Sequence, residues 1–207
     1  MNNIAIIGRK RSGKDTAAAA LVEELGYTRL GFADPLKDAA LALNPIVEAL
    51  DPDSRRGYAL CEEIPEVREA MSYSREVRLA ALVDVVGWET AKDRFPEVRR
   101  ILQRLGDEAG RQVHGEGTWI AQLLDRIERA NAAGNPVVVP DVRYPNEVGA
   151  LDERGFVIVR ITRPGYDVAT PGEHASEKVD ALPYDIVVIN DRDRDALRRS
   201  ILDIAKR

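Results

Sequence analysis

The chain has 207 residues, 44% hydrophobic and 31% charged, which supports one substantial core and leaves too little for two large enzymatic domains. Thirty Lys and Arg against 35 Asp and Glu give a formal charge of −5, so no bulk cationic field is available to hold polymeric nucleic acid or an acidic membrane. The single Cys61 excludes an internal disulfide and a cysteine-ligated zinc site, and reads as a structural thiol in a reducing compartment.

Residues 3–7 form a short apolar run ending in Gly8, the pattern of a strand buried on both faces of a parallel sheet. The chain then reaches Arg9-Lys10-Arg11 before a signal-peptide core could form, and its apolar runs stay far below the ~18 residues that span a bilayer. A cytoplasmic protein is expected. Residues 14–25 read as a helix closed by Gly26, residues 27–32 as a strand, and Asp34-Pro35 as the start of a helix to about Leu43. From there to about Gly117 the pattern predicts helices without strands, with apolar spacing over 74–86 and 96–113, where Ile101, Leu102 and Leu105 share a face.

Thr118 is placed to cap a helix over 119–132, which Gly134-Asn135-Pro136 stops before the apolar run 137–139 and Pro140-Asp141. A helix over 146–153, a strand over 156–162, a polar loop over 163–179, a strand over 185–189 and a helix over 192–207 complete the chain. Five strands alternating with helices predict a three-layer α/β fold around a parallel sheet. The stretch 36–117 is expected to be a helical insertion within that domain.

The most specific chemical signal is Gly8-Arg9-Lys10-Arg11-Ser12-Gly13-Lys14-Asp15-Thr16, between the first strand and the first helix. Glycines let the backbone curl so that successive N–H groups point inward, the helix N-terminus adds positive potential, and Lys14 can reach β- and γ-phosphates. Asp15 stands where Ser or Thr usually follows the lysine to bind Mg²⁺, with Thr16 one place later. It could hold a Mg²⁺-bound water or cap the helix start. The second signal is Asp141, at the carboxyl end of a parallel strand, where an acidic residue can orient Mg²⁺ or its waters. The bland alternative there is a solvated turn with Asn146 as helix cap. Arg163 leaves the strand over 156–162 at the same expected edge and suits a phosphate contact, whereas Arg160 reads as an outward strand residue.

Five segments, in this order along nearly the whole chain, resemble the bacteriophage-type deoxynucleoside monophosphate kinases. They are the loop from Gly8 to Thr16, Phe32-Ala33-Asp34-Pro35-Leu36-Lys37, Leu102-Gln103-Arg104-Leu105-Gly106 with Arg111, Asp141-Val142-Arg143-Tyr144-Pro145-Asn146-Glu147, and His174-Ala175-Ser176-Glu177 with Asn190-Asp191. The match is loose over 51–95. The resemblance implies transfer of the γ-phosphoryl group of ATP to a deoxynucleoside monophosphate, with Mg²⁺ as cofactor. Catalysis then falls to Lys14, Asp15, Arg143 and Arg163, and ATP binding to Gly8, Arg11, Ser12, Gly13, Lys14, Asp15, Thr16 and Asn190. The monophosphate falls to Asp34, Lys37, Gln103, Arg104, Arg111, Asp141, Arg143 and Glu147, and the metal to Asp15 and Asp141. The loop over 163–179 would be a lid, with His174 as a hydrogen-bonding residue in it. Small nucleotides are the expected partners, without polymeric nucleic acid or membrane, and the family suggests a homodimer. Competing expectations are another small-molecule kinase, of phosphomevalonate or dephospho-coenzyme A type, and a non-catalytic nucleotide-binding switch.

Overall fold

The structure, a computed structural model, describes residues 1–51, 54–71, 75–166 and 179–207. In chain order the elements are β1 Ile4–Ile7, α1 Lys14–Leu25, β2 Thr28–Arg29, α2 Asp34–Leu43, β3 Ile46–Ala49, α3 Arg55–Glu63, α4 Val67–Ala70 and β4 Glu76–Arg78. There follow α5 Leu79–Arg94, α6 Pro96–Gln103, a π-helix Arg104–Arg111, α7 Gln112–His114, α8 Thr118–Ala132, β5 Val137–Val139, α9 Pro145–Asp152, β6 Val157–Thr162, a 3₁₀ turn Val179–Ala181, β7 Ile186–Ile189 and α10 Arg194–Ala205. The chain divides into two compact units, Met1–Asp34 with Ile120–Arg207, and Pro35–Trp119.

The first unit is built on a five-stranded parallel sheet in the order β2-β5-β1-β6-β7. Strand alternation sorts its core into two sides. Ile4 and Ile6 of β1, with Val138, Val159 and Ile161, pack on Ala17, Ala18 and Leu21 of α1 and on Leu197 and Ile201 of α10. Ala5 and Ile7, with Val137, Val139 and Ile158, pack on Leu123 and Ile127 of α8 and Val148 and Leu151 of α9. The sheet has helices packed on both faces, which explains why β1 and β5 read as unbroken apolar runs. Each fully buried Leu or Ile contributes about 2 kcal/mol, and Leu21→Ala in this setting would cost about 3 kcal/mol.

Small alanines at Ala17, Ala18 and Ala20 let α1 lie close on the sheet, and Gly26 ends it in the left-handed region at φ 69°, its N–H returning to the carbonyls of Leu21 and Val22. β2 is two residues long rather than the six expected over 27–32, because the chain leaves the sheet at Gly31 to turn into α2. Asp193, not Arg192, starts the last helix, its carboxylate accepting the Ala196 N–H at 2.7 Å. Thr118 does not cap α8 from outside. It is the first helical residue, and its hydroxyl donates to the Gly115 carbonyl at 2.9 Å.

The second unit corrects the expectation of helices without strands. β3 and β4 pair antiparallel across a long excursion, with Val47 and Val77 turned into the core beside Leu79, Leu82, Phe95 and Val98. Strands this short, with one buried side chain each, leave almost no alternation to read. The helix expected from residue 74 starts at Leu79, after β4, and α5 is broken internally at Gly87, whose φ of 73° is non-helical. Ile101, Leu102 and Leu105 share the core-facing side as their spacing predicts.

Candidate active site

All strands of the sheet run the same way, so the carboxyl ends of β1, β5, β6 and β7 share one edge, where ligands bind in open α/β sheets. Gly8, Asp141, Arg163 and Asn190 each lie within two residues of such an end. Residues far apart in sequence are thereby gathered around the loop that joins β1 to α1.

That loop needs its glycines. A Cβ on Gly8 would sit 2.5 Å from the Ile161 carbonyl oxygen and 2.7 Å from Ser12 Oγ. Gly13 precedes α1 at φ 108°, and a Cβ there would sit 2.7 Å from Asn190 Nδ2 and 2.8 Å from Leu197. Arg11 adopts φ 65°, a left-handed residue in mid-loop. The N-cap of α1 is Gly13, which has no side chain to cap the first-turn N–H groups, where the helix dipole is positive. The Lys14 ammonium lies across the loop, donating to the carbonyls of Gly8 at 2.6 Å and Arg9 at 2.7 Å. Ser12 is buried, and among the described residues its Oγ has no hydrogen-bond partner. Its carbonyl accepts from Asn190 Nδ2 at 2.9 Å, which ties the loop to the end of β7. Thr16 lies half-buried on the first turn of α1.

Asp141 follows β5 and Pro140. Its carboxylate accepts the Phe32 N–H at 3.1 Å and the Ala33 N–H at 3.3 Å, and a Cβ on Gly31 would be 2.7 Å from Oδ2. The β2–α2 turn is therefore wrapped around this carboxylate. Burial pushes its carboxyl above the ordinary aspartate value; the two N–H donors pull it back, the Asp34 carboxylate adds to the rise, and the Arg29 guanidinium opposes it. Arg29 also stands 3.6 Å from Asp15, whose side chain is exposed. Arg29 was not legible as a site residue, since nothing in a strand-edge arginine distinguishes it before the fold is known.

Glu147 is buried, and its Oε2 accepts the N–H groups of Arg143 at 2.7 Å and Tyr144 at 3.1 Å, so it fixes the backbone that presents Arg143. Arg143 itself is exposed. Asn146 Oδ1 accepts the Glu147 N–H at 3.1 Å, a local contact at the start of α9. Arg163 Nη1 lies 3.4 Å from the Arg11 carbonyl, with the guanidinium over the Tyr166 ring at 4.7 Å. The lid expected over 163–179, with His174, lies mostly outside the described residues, which resume at Val179.

Two arginines have an acidic partner that sequence reasoning missed. Arg160 is not a solvated outward residue. Its Nη2 donates to Asp180 Oδ1 at 2.8 Å and its Nη1 to the Asp180 carbonyl at 2.9 Å, and it lies over the Tyr184 ring. Arg9, buried within the loop, donates to Asp180 Oδ2 through Nε at 3.0 Å and also through Nη2.

The second unit carries the remaining candidates. Gln103 ends α6, and Arg104 and Arg111 are the first and last residues of the π-helix, pairing with Glu108 at 3.0 Å and Asp107 at 2.9 Å. A π-helix is wider than an α-helix and is frequent at functional sites. Here Gly110 leaves room for the Trp119 indole, which would sit 2.6 Å from a Cβ, and Trp119 Nε1 donates to the Gly106 carbonyl at 2.9 Å. The Lys37 ammonium lies 5.8 Å from the centre of the Trp88 ring. Among the described residues no cluster of three or more His, Cys, Asp or Glu side chains is arranged to hold a metal, and no helix is long and apolar enough to cross a membrane.

No protein-family model matches the chain. Among solved structures it is similar to the dephospho-CoA kinase from Campylobacter jejuni, at 12% identity and a TM-score of 0.46, covering 99% of this chain and 96% of that one. It is 29% identical over 191 residues to a mimivirus protein provisionally named a deoxynucleotide monophosphate kinase, covering 91% of this chain and 88% of the relative. It is 25% identical over 244 aligned positions to the deoxynucleotide monophosphate kinase of Enterobacteria phage T4, covering 100% of this chain and 99% of that protein. The resemblance carried by the motifs thus extends along the chain, which is similar in sequence to the viral deoxynucleotide monophosphate kinases.

Proposed function

We propose that the chain is a deoxynucleoside monophosphate kinase that transfers the γ-phosphoryl group of ATP to a deoxynucleoside monophosphate, releasing ADP and the diphosphate. The observation that carries this reading is the loop from Gly8 to Lys14. It leaves the central strand, needs glycine at both ends, and delivers an uncapped helix N-terminus with a lysine ammonium across it. The viral relatives supply the acceptor class, through the names they bear.

The acceptor phosphate is already an anion at neutral pH, so the reaction needs alignment and charge stabilisation rather than a general base. In this reading Lys14 and the loop N–H groups hold the β- and γ-phosphates, Asn190 keeps the loop in shape through Ser12, and Arg163 meets the transferred group beside Arg11. Arg143 acts from a backbone that Glu147 secures. Lys37, Gln103, Arg104 and Arg111 are the acceptor-binding residues of the second unit, with Asp34 at its boundary.

The donor set suits a hard divalent cation. Asp141 offers an enclosed carboxylate with one N–H on each oxygen, which leaves further acceptor capacity, and the Asp34 carboxylate is near enough to disfavour its ionisation. Asp141, with Asp15 acting through water, would hold Mg²⁺, which when bound neutralises charge on the phosphates. A cytoplasmic homodimer acting on free nucleotides completes the reading, and sedimentation tests its oligomeric part. The functional test is ADP release in a coupled assay with deoxynucleoside monophosphates, dephospho-coenzyme A and phosphomevalonate as separate acceptors. The proposal expects turnover with the monophosphates alone.

A further inference from the structure

Arg9 occupies a position in the loop where the chemistry of phosphate binding demands no particular side chain, yet its side chain is only 6% exposed. A buried guanidinium without a partner would be strongly destabilising. Asp180 supplies part of that partnering: its Oδ2 takes both Nε and Nη2 of Arg9, while its Oδ1 and main-chain carbonyl take the two Nη atoms of Arg160. Arg160 is the register partner of Ile7, the last residue of β1 before the loop. One residue therefore clasps the loop to the neighbouring strand, with both carboxylate oxygens and the main-chain carbonyl engaged.

The backbone of Arg9 is a seat for the rest of the loop. Its carbonyl accepts the Ser12 N–H at 3.2 Å and the Lys14 ammonium at 2.7 Å. The pair with Asp180 anchors the Arg9 side chain and so restrains the main chain that makes both contacts. We propose that Asp180 is a positioning residue of the phosphate-binding loop, acting through Arg9 to fix the carbonyl that seats Ser12 and Lys14. This inference rests on the reading of the loop as a triphosphate site.

Simple charge arithmetic and the positioning role predict opposite results. Asp180→Asn removes a negative charge beside an anion site, which by Coulomb attraction alone should tighten phosphate binding. Loss of positioning should weaken it, by about tenfold, the scale of one charge-assisted hydrogen bond. The experiment is calorimetric titration of ATP and of inorganic tripolyphosphate into wild type, Asp180→Asn, Arg9→Met and the double variant at fixed ionic strength, with thermal melts run in parallel.

Because Asp180 acts through Arg9, the double variant is expected to lose no more affinity than Arg9→Met alone, and tripolyphosphate should lose as much as ATP. Unchanged or tighter binding in folded Asp180→Asn overturns the inference, as do additive losses in the double variant. If Asp180→Asn does not fold, Arg9→Met, which leaves Asp180 paired with Arg160, decides: unchanged tripolyphosphate affinity overturns it. A wild type that binds neither ligand would refute the reading of the site itself, a result distinguishable from failure of the Asp180 role.

Discussion

Asn190, one residue past the edge strand β7, donates its side-chain amide to the carbonyl of Ser12 at 2.9 Å, and the same amide nitrogen is what a Cβ on Gly13 would strike. Loop and edge strand are fitted to each other at this point, with Leu197 of α10 closing the other side. Gly13→Ala should therefore introduce both a left-handed alanine and a clash with two packed side chains. The expected cost is about 1–3 kcal/mol of stability, read by denaturant unfolding, together with weakened ATP binding. Unaltered stability and affinity would mean that the contact between Asn190 and the loop is of no consequence.

Lys14 bridges two loop carbonyls and is half-buried, outside the sheet core. Lys14→Ala should leave the melting profile near that of wild type and lower kcat by about 100-fold or more, the scale of a lost electrostatic donor to the transition state. Steady-state kinetics with saturating monophosphate checks this, and near-normal turnover would remove the loop from catalysis.

Asp141 gives a prediction with a sign. Its native carboxyl is raised by burial, so the folded protein holds that proton more tightly than the unfolded chain does. The resulting contribution to stability is complete below the ordinary aspartate pKa of about 3.9 and is lost as pH rises through the higher native value. Asp141→Asn, which cannot ionise, should gain on wild type in stability as pH rises through that window. Unfolding free energies measured across it test the sign, and a difference that does not change with pH would contradict the enclosed carboxylate.

Arg104 and Arg111 sit seven residues apart at the two ends of the π-helix, each paired to an acid one turn away. If they grip the acceptor phosphate, Arg→Lys at either position keeps the charge and loses the planar fork. The monophosphate KM should rise about tenfold for a charge-assisted contact, with ATP affinity nearly unchanged. An unaltered acceptor KM in both variants would return the arginines to a structural role.

The middle of the parallel sheet was legible because β1 and β5 are buried on both faces: 4–7 and 137–139 are unbroken apolar runs ending at Gly8 and Pro140, and no surface demand interrupts them. The loop from Gly8 to Lys14 was legible for a related reason, since its two glycines stand where a Cβ would strike the Ile161 carbonyl and Ser12 Oγ, or Asn190 and Leu197, in a strand–loop–helix setting. What escaped depends on the third dimension. β3 and β4 bury one side chain each, and no local pattern announces a pairing between Ile46 and Arg78. Asp180 and Arg29 are ordinary charged residues until the sheet brings Arg9, Arg160 and Asp141 to the same edge. Glu147 is expected at the acceptor, and its carboxylate holds the backbone that carries Arg143, a contact no local pattern announces. The π-helix is a departure from α-helical spacing that Gly106, Gly110 and Trp119 accommodate jointly, and no one of them signals it alone.

The most direct test of the central claim is transfer of label from [γ-³²P]ATP in the presence of Mg²⁺ and single deoxynucleoside monophosphates, with products separated by chromatography. The account predicts label in the deoxynucleoside diphosphate, formed in one-to-one amount with ADP and abolished by Lys14→Ala. Label released only as inorganic phosphate at a rate indifferent to the monophosphate, or carried instead to dephospho-coenzyme A or phosphomevalonate, would contradict it.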